Sequence, residues 1–311
     1  MANGLGGGVL IRNGFFTIGE NAVIQGNQAR SGGGIYAQRS NFTMDRNAAV
    51  RGNQAETGAG IYVNEAGGND NETRGKYVIT GGTINSNTAV TSGGGLFLVR
   101  GELSVDGNTV IADNSASSGG GIDLINGALS LGGNVVLRGN NAKDRGGAVN
   151  AVSTEAASVR LVIRENVQIT GNTANYGSGL FLTSVNFIFE GGSIAGNRAV
   201  ESGAVYIARG RAEFINGTIT DNSASSGGGV FLGDNQHLVM RNSARIFNNS
   251  AGWGSGVYIN HEGSRFIMEG GSITGNTAAQ SGGGVYCRFA GTFFQNGGII
   301  HGNLPNDVFE E

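Results

Sequence analysis

The stretch that decides the fold is residues 266–286, which read FIMEGGSITGNTAAQSGGGVY. It contains three short segments in which alternate residues are apolar, a pattern that predicts β-strands. The first segment holds Phe266 and Met268, the second ends after Ile273, and the third follows the glycine run 282–284. Asn276 and the glycines separate the segments, and residues of these types favour tight turns. The stretch therefore predicts three strands joined by sharp corners.

The same unit recurs along almost the whole chain. The aliphatic residue after each glycine cluster marks eleven copies, at Val9, Ile35, Ile61, Leu96, Ile122, Val149, Leu180, Val205, Val230, Val257 and Val285. The steps are 25–28 residues, apart from one of 35 and one of 31. Three strands in so short a repeat predict one coil of a parallel β-helix. The expected fold class is all-β, a right-handed single-stranded parallel β-helix (solenoid) of about eleven coils with three short strands per coil.

An asparagine closes the second strand of every unit. These residues are Asn27, Asn53, Asn87, Asn114, Asn140, Asn172, Asn197, Asn222, Asn249, Asn276 and Asn303. Because asparagine tolerates left-handed backbone, we expect each to form a corner and to hydrogen-bond with its neighbours along the axis. Alanine follows two positions later, until Pro305 takes that place in the last unit. Proline cannot donate to a strand ladder, so the repeat is expected to end there.

The composition agrees with a chain that turns often and in register. Glycine supplies 59 of 311 residues and proline one, which excludes collagen and argues against a helical domain. Net charge is −3, so a basic surface for nucleic acid is not expected. No apolar run reaches the ~20 residues of a membrane span, and no signal peptide is predicted. The lone Cys287 cannot form an intrachain disulfide and is expected to be buried and inert.

We expect one β-helix domain over residues 1–311, with loop insertions near 64–76 and 153–158 and the C-terminal end of the repeat near 303–311. Both insertions fall between the glycine-rich strand and the strand that follows it. Insertions on one side of a solenoid often mark a binding face. The first insertion carries Asp70, Glu72 and Arg74, which predict contact with a partner or a cation; the alternative is a plain surface loop.

The motif ITGNTA at 273–278, followed by SGGGVY at 281–286, resembles the repeats of chlamydial polymorphic outer membrane proteins. It is also similar to Gly/Asn-rich β-helix repeats of other bacterial surface proteins. The resemblance extends over essentially all 311 residues. It implies a pectin-lyase-like β-helix and a surface passenger or adhesin, located outside the cell or on its surface.

An enzyme is the main alternative, because some β-helix families cleave polysaccharides with carboxylates on one outer sheet. In the corresponding outward column only Glu213 ionises; the column is Thr17, Thr43, Val78, Ser104, Ser130, Val162, Ile188, Glu213, Val239, Ile267 and Phe293. Glycoside hydrolysis usually needs two carboxylates. The best candidate cluster adds His237, Arg241, Arg265 and Glu269, but we favour a solvated charge ladder as its explanation and expect no catalytic residues. No cofactor is expected, and the three histidines lack metal-ligand spacing.

The strongest candidate binding feature is a column of aromatic residues directly after the anchoring aliphatics. Its members are Tyr36, Tyr62, Phe97, Phe181, Tyr206, Phe231, Tyr258 and Tyr286, with Asp123 and Asn150 in two coils between them. Alternation directs these side chains away from the core. They predict either a self-stacking ladder that stiffens the rod or an apolar stripe for glycans, a host or neighbouring-cell surface, or lateral assembly. End-to-end stacking into a structural filament is a third possibility for the whole chain.

Overall fold

The computed structural model describes residues 4–65, 75–155, 159–290 and 292–311, and none of these residues is helical. Its strands pair in parallel with the equivalent strand one repeat later. Val9 pairs with Ile35, and Ile35 pairs in turn with Ile61. The chain therefore winds as a parallel β-solenoid of about eleven coils, which confirms the predicted fold class.

Three long sheets run the length of the solenoid, and the chain visits them in the same order in each coil. The first sheet has twelve strands: Val9–Arg12, Ile35–Gln38, Ile61–Asn64, Leu96–Val99, Ile122–Ile125, Val149–Val152, Leu180–Thr183, Val205–Ala208, Val230–Leu232, Val257–Ile259, Val285–Cys287 and Val308–Glu310. The second has eleven: Phe15–Ile18, Asn41–Met44, Lys76–Ile79, Glu102–Val105, Ala128–Leu131, Val159–Ile163, Val185–Phe189, Arg211–Phe214, His237–Met240, Arg265–Met268 and Phe293–Gln295. The third also has eleven: Val23–Gln25, Ala49–Arg51, Thr83–Asn85, Val110–Ala112, Val136–Arg138, Gln168–Thr170, Ser193–Ala195, Thr218–Thr220, Arg245–Phe247, Ser272–Thr274 and Ile299–His301.

A fourth short strand, which the sequence pattern did not indicate, follows the asparagine in most coils. Seven of these strands form one sheet: Gln28–Ser31, Gln54–Thr57, Thr88–Ser92, Ser115–Ser118, Asn141–Arg145, Thr173–Tyr176 and Arg198–Ser202. Two more, Ser250–Trp253 and Thr277–Ser281, pair with each other. Isolated bridges at Ser223 and Ser226 connect the two groups. The three predicted strands per coil are present, and a fourth sheet closes the corner between the third sheet and the first.

The left-handed corner residue is the one before each ladder asparagine, which corrects the prediction that the asparagine itself adopts this conformation. In all eleven coils the preceding residue has φ between 53° and 68°, as at Gly52 before Asn53. Glycine adopts this conformation without steric cost. The asparagine is thereby left free to serve as a hydrogen-bonding residue rather than as the turn.

The asparagine ladder is continuous from Asn27 to Asn303. Each side-chain amide donates to the carbonyl oxygen of the asparagine one coil later at 2.9–3.0 Å. The last amide, of Asn303, donates to the Asp307 carboxylate at 2.8 Å. Buried amides in a series of this kind satisfy one another, so the predicted hydrogen bonding along the axis is confirmed.

The inward side chains of the first three sheets form one hydrophobic core along the axis. Ile35, Phe42 and Val50, one from each sheet of a single coil, are at most 1% exposed. A separate small cluster of Ala55, Ala59, Ala89 and Ala116 packs beneath the fourth sheet. Alanine suits this place because the fourth strand lies close to the glycine-rich turn. The core is therefore narrow and repeats once per coil.

The chain continues in register beyond Pro305. Strand Val308–Glu310 adds to the first sheet by pairing with Val285–Cys287. The expectation that the repeat ends at this proline is therefore wrong for the first sheet. Leu304, just before the proline, still bridges to Thr277, because the missing donor belongs to Pro305 itself.

Candidate functional site

The aromatic column forms one long stack and one shorter group of rings along the outer side of the first sheet. Phe181, Tyr206, Phe231, Tyr258 and Tyr286 stack at centroid distances of 4.6–5.2 Å with interplanar angles of 5–10°. Phe309, which sequence reasoning missed because it follows Pro305, extends the stack at 5.3 Å. Tyr36, Tyr62 and Phe97 form a shorter group that is not stacked in parallel. Tyr36 meets Tyr62 edge to face at 5.1 Å and 78°, and Tyr62 lies 4.8 Å from Phe97 with the rings tilted by 32°.

The rings are covered more than alternation alone suggests. Tyr36, Phe97, Phe231 and Tyr286 are buried, whereas Tyr62, Phe181, Tyr206 and Tyr258 are partly exposed. The glycine that opens the turn before the first sheet lies against the ring-bearing residue: a Cβ on Gly32 (φ 67°) would lie 2.8 Å from the Tyr36 Cβ. Desolvation raises the pKa of Tyr62 to about 12. The column supports a stiffening stack, and its role as a binding face stays a prediction.

A buried polar cluster separates the long stack from the shorter group of rings. Asp123 and Asn150, which alternation directs away from the core, are nevertheless only 1% and 2% exposed. The Asn150 amide donates to the Asp123 carboxylate at 2.7 Å, and the Arg145 guanidinium lies 5.5 Å from the Phe181 ring centroid. Burial raises the pKa of Asp123 to about 6, although hydrogen bonds from Asn150 and Ser92 and the charge of Arg145 oppose the shift.

The cluster proposed as an enzyme alternative is a chain of ion pairs on the second sheet. Glu213 lies 3.2 Å from Arg211 and 3.5 Å from Arg241, and Arg241 also pairs with Glu269 at 2.7 Å. The hydrogen bond from Arg241 to Glu269 and the nearby carboxylate charges raise the pKa of Arg241. Both carboxylates therefore share one arginine, an arrangement typical of a surface ladder.

The other two members of that cluster lie on the same sheet but outside the ion pairs. His237 pairs in register with Arg265, and the Arg265 guanidinium lies over the Phe294 ring at 5.8 Å. The outward column also needs one correction: Ile267 aligns with Phe294, whereas Phe293 aligns with the inward Phe266. The outward residue of this last strand is therefore Phe294, one position later than the repeat pattern predicts.

A trough lies further along the second sheet, across strands Lys76–Ile79, Glu102–Val105, Ala128–Leu131 and Val159–Ile163. Its volume is about 260 Å³. One border column reads Lys76, Glu102, Ala128 and Arg160 in consecutive coils. The adjoining column reads Val78, Ser104, Ser130 and Val162. The trough forms where the small side chains of Ala128 and the two serines interrupt a line of longer ones.

Arg164 closes one end of the trough. Its guanidinium donates to the Ser130 hydroxyl and lies 3.6 Å from the Glu190 carboxylate. In the described part of the chain, neither Lys76 nor Arg160 has an ion-pair partner. Column alignment across the two long repeats is the signal that finds this site in the sequence, because it puts Arg160 in line with Lys76.

The described strands that flank the two insertions are equivalent. The first insertion lies between Ile61–Asn64 and Lys76–Ile79, and the second lies between Val149–Val152 and Val159–Ile163. Glu65, at the base of the first, is buried and accepts a hydrogen bond from the Tyr77 hydroxyl. Burial and this hydrogen bond raise the pKa of Tyr77. The candidate residues Asp70, Glu72 and Arg74 lie outside the described residues, so their role stays a prediction.

Cys287 is fully buried, as expected, and desolvation raises the pKa of its thiol to about 12. Thiolates, rather than thiols, are the reactive form, so the buried thiol of Cys287 is expected to be unreactive. Residues 4–65, 75–155, 159–290 and 292–311 contain no cluster of three or more His, Cys, Asp or Glu side chains placed to hold a metal ion. The same ranges contain no helix long and apolar enough to cross a membrane.

One known family model matches the chain, the Chlamydia polymorphic membrane protein repeat, over residues 21–38. This segment runs from the third sheet through Asn27 and the fourth strand to the first-sheet strand Ile35–Gln38. The same geometry recurs in the other coils, so the chain is a β-helix repeat protein similar to the chlamydial polymorphic membrane proteins. No curated protein and no solved structure matches the chain.

Proposed function

We propose that the chain is a non-catalytic shaft of a bacterial β-helix protein that is exported, exposed on the cell surface and used for adhesion or display. The observation that carries the proposal is the chlamydial-type repeat at 21–38, whose asparagine and glycine corners recur in every coil. That family description points to an outer-membrane or surface location. A stiff rod of roughly 50 Å, about eleven strand spacings, would hold its outer faces away from the membrane.

The charges on the second sheet support a non-catalytic role. General acid–base catalysis on a glycoside needs a carboxylic acid and a separate carboxylate beside the bond to be cleaved. Glu213 and Glu269 instead both pair with Arg241, and each is partly exposed to water. The two carboxylates are therefore not arranged as an acid and a separate base on either side of a groove. The pair therefore suits surface stabilisation better than catalysis.

The location is tested in cells that express the complete gene product from its own locus. An antibody raised against the purified chain is expected to label intact cells, and added protease should remove that signal. A periplasmic marker, labelled only after permeabilisation, serves as the control. Labelling of this chain that also needs permeabilisation would contradict a surface role.

The absence of catalysis is tested with the purified chain and a panel of acidic and neutral polysaccharides. We expect no release of reducing or unsaturated sugars over a long incubation. Release that disappears in both Glu213→Gln and Glu269→Gln would establish the enzyme alternative. The adhesion role predicts binding to cells without turnover, and Tyr206→Ser with Tyr258→Ser tests whether the partly exposed rings contribute to it.

A further inference from the structure

We propose that the trough on the second sheet binds an acidic saccharide, with Arg160 and Lys76 holding carboxylates and Ser104 and Ser130 contacting ring hydroxyls. The inference deepens the proposed display role, since it gives the shaft a ligand class and a place to bind it. The site consists of described residues on four adjacent strands, so the sheet rather than a loop sets its geometry.

The positive charges on the outer face of the second sheet differ in whether they have ion-pair partners. Elsewhere on this face Arg241 pairs with Glu213 and Glu269. Arg265, which has no carboxylate within ion-pair distance among the described residues, lies over the Phe294 ring instead. At the trough, the described residues give neither Arg160 nor Lys76 a carboxylate within ion-pair distance. Cations left unpaired beside a concave surface can take an external anion, because they need not first leave an internal partner.

The floor of the trough offers both apolar side chains and hydroxyl groups. Val162 is buried at 3% exposure, Val78 and Ala128 are half-buried, and the serine hydroxyls of Ser104 and Ser130 lie between them. A sugar ring presents an apolar face together with hydroxyls at its edge, and both kinds of surface have partners here. The roughly 300–1,000 Å³ of pockets for drug-sized ligands exceeds the 260 Å³ of the trough, so the occupant is small or extends along the open groove.

The spacing of the two cations, Lys76 and Arg160, suits an extended ligand. Lys76 and Arg160 are separated by the two strands that carry Glu102 and Ala128, so they lie three strand spacings apart, about 14 Å. A short oligosaccharide with a carboxylate can span the groove between them. Glu102 sits beside Lys76 and would accept hydrogen bonds from sugar hydroxyls. The spacing therefore suits an extended acidic saccharide.

Titration calorimetry with the purified chain tests the proposal, using sialyllactose and trigalacturonate as the acidic probes. Lactose and the methyl ester of trigalacturonate are the matched neutral probes. We expect at least one of the two acidic probes to bind and its neutral counterpart not to bind. The acidic probe that binds more tightly shows which of the two kinds of sugar acid the trough prefers. Arg160→Gln should weaken binding by about tenfold or more, as expected for loss of a charge-assisted hydrogen bond. Arg138→Gln, an exposed cation on the third sheet, should leave it unchanged.

A second variant separates shape from charge. Ala128→Leu fills the floor of the trough and alters no charge, so it should abolish binding, while an unchanged thermal unfolding midpoint shows that the solenoid is intact. The proposal fails if neither acid binds, if Arg138→Gln weakens binding as much as Arg160→Gln, or if Ala128→Leu binds like the parent. It also fails if poly-glutamate competes equally well with the saccharide. These readouts use purified protein, so they are independent of whether the chain proves to be on the cell surface.

Discussion

Each asparagine of the ladder connects three consecutive coils through one side chain. The carbonyl oxygen of Asn140 accepts hydrogen bonds from the backbone and side-chain nitrogens of Asn114, at 3.1 and 3.0 Å. Its amide donates to Asn172 at 3.0 Å and to the backbone oxygen of Ile111 at 2.9 Å. All of these atoms are buried, so water cannot replace a lost partner.

Asn140→Ala is expected to lower the free energy of unfolding by about 3 kcal/mol, because it leaves several buried donors and acceptors unsatisfied. Chemical denaturation followed by circular dichroism measures the change. Asn134→Ala is the control, since this exposed amide bonds only to Asn108 in the neighbouring coil and its loss should cost under about 0.5 kcal/mol. Equal effects of the two changes would show that the ladder contributes no more than a surface contact.

The free energy of unfolding is expected to depend on pH through Asp123. Its pKa rises from 3.8 in the unfolded chain to about 6 in the folded one, so its contribution to stability is complete below pH 3.8 and is lost as the pH rises to about 6. A shift of this size corresponds to roughly 3 kcal/mol. Asp123→Asn should remove this decline and stabilise the protein at pH 7 by a similar amount.

Denaturation midpoints measured between pH 3.5 and 7.5 check this expectation. Asp113→Asn is the matched control: Asp113 is an exposed corner residue with φ 55°, a conformation that asparagine also adopts. The control should keep the profile of the parent chain. A profile for Asp123→Asn that still declines towards pH 6 would mean that another group is responsible.

At the scale of the structural element, the aromatic stack binds successive strands of the first sheet together. Phe231 lies between Tyr206 and Tyr258 at 5.1 and 5.2 Å, with its ring nearly parallel to both. It is 8% exposed. The ring therefore contributes both burial and two stacking contacts.

Phe231→Ala is expected to cost about 3 kcal/mol of stability, the usual range for a buried ring. The near-ultraviolet circular dichroism of the stack should weaken at the same time. Phe15→Ala provides the comparison, because this ring is 86% exposed and should contribute under about 0.5 kcal/mol. If Phe231→Ala proves as mild as Phe15→Ala, the column is not a structural stack.

The sequence predicts those elements that repeat with period two and misses those that do not. The first three strands alternate apolar and polar residues, as in Phe266 and Met268, and were recognisable for that reason. The fourth strand, such as Gln54–Thr57, has one buried alanine among polar residues, so no alternation reveals it. Side chains at the ends of these strands, Ser92 and Arg145, lie beside Asp123, so the burial of Asp123 was not recognisable from the sequence either. The trough is formed by side chains from four coils, two of which follow long insertions. Locating it therefore requires knowing how the strands of these coils align.

For the molecule as a whole, the coils are equivalent modules. Ser115 pairs in register with Asn141, so removing residues 115–140 joins Asn114 to the strand that begins at Asn141. Asn114 can then donate to Asn172 in place of Asn140. We expect this shortened chain to fold cooperatively into a rod shorter by about 4.8 Å, one strand spacing.

Small-angle X-ray scattering measures the length of the rod, and circular dichroism confirms its strand content. Removal of only residues 115–127 is the control, because it leaves half a coil and puts every later strand out of register. The control should fail to fold. If the deletion of the whole coil also fails, the individual coils depend on their particular neighbours and are not interchangeable.

The hydrogen bonds between the side chains of the asparagine ladder all point in one direction, so they give the solenoid axis a direction. Every hydrogen bond between two ladder side chains runs from an amide to the asparagine of the next coil, from Asn27 through Asn276 to Asn303. The dipoles of these amides therefore add along the axis, as peptide dipoles do in a helix, with the positive ends directed towards later coils. The two ends of the ladder therefore differ. At the last coil the Asn303 amide donates to the Asp307 carboxylate, which takes the place of a further asparagine and closes the ladder at that end.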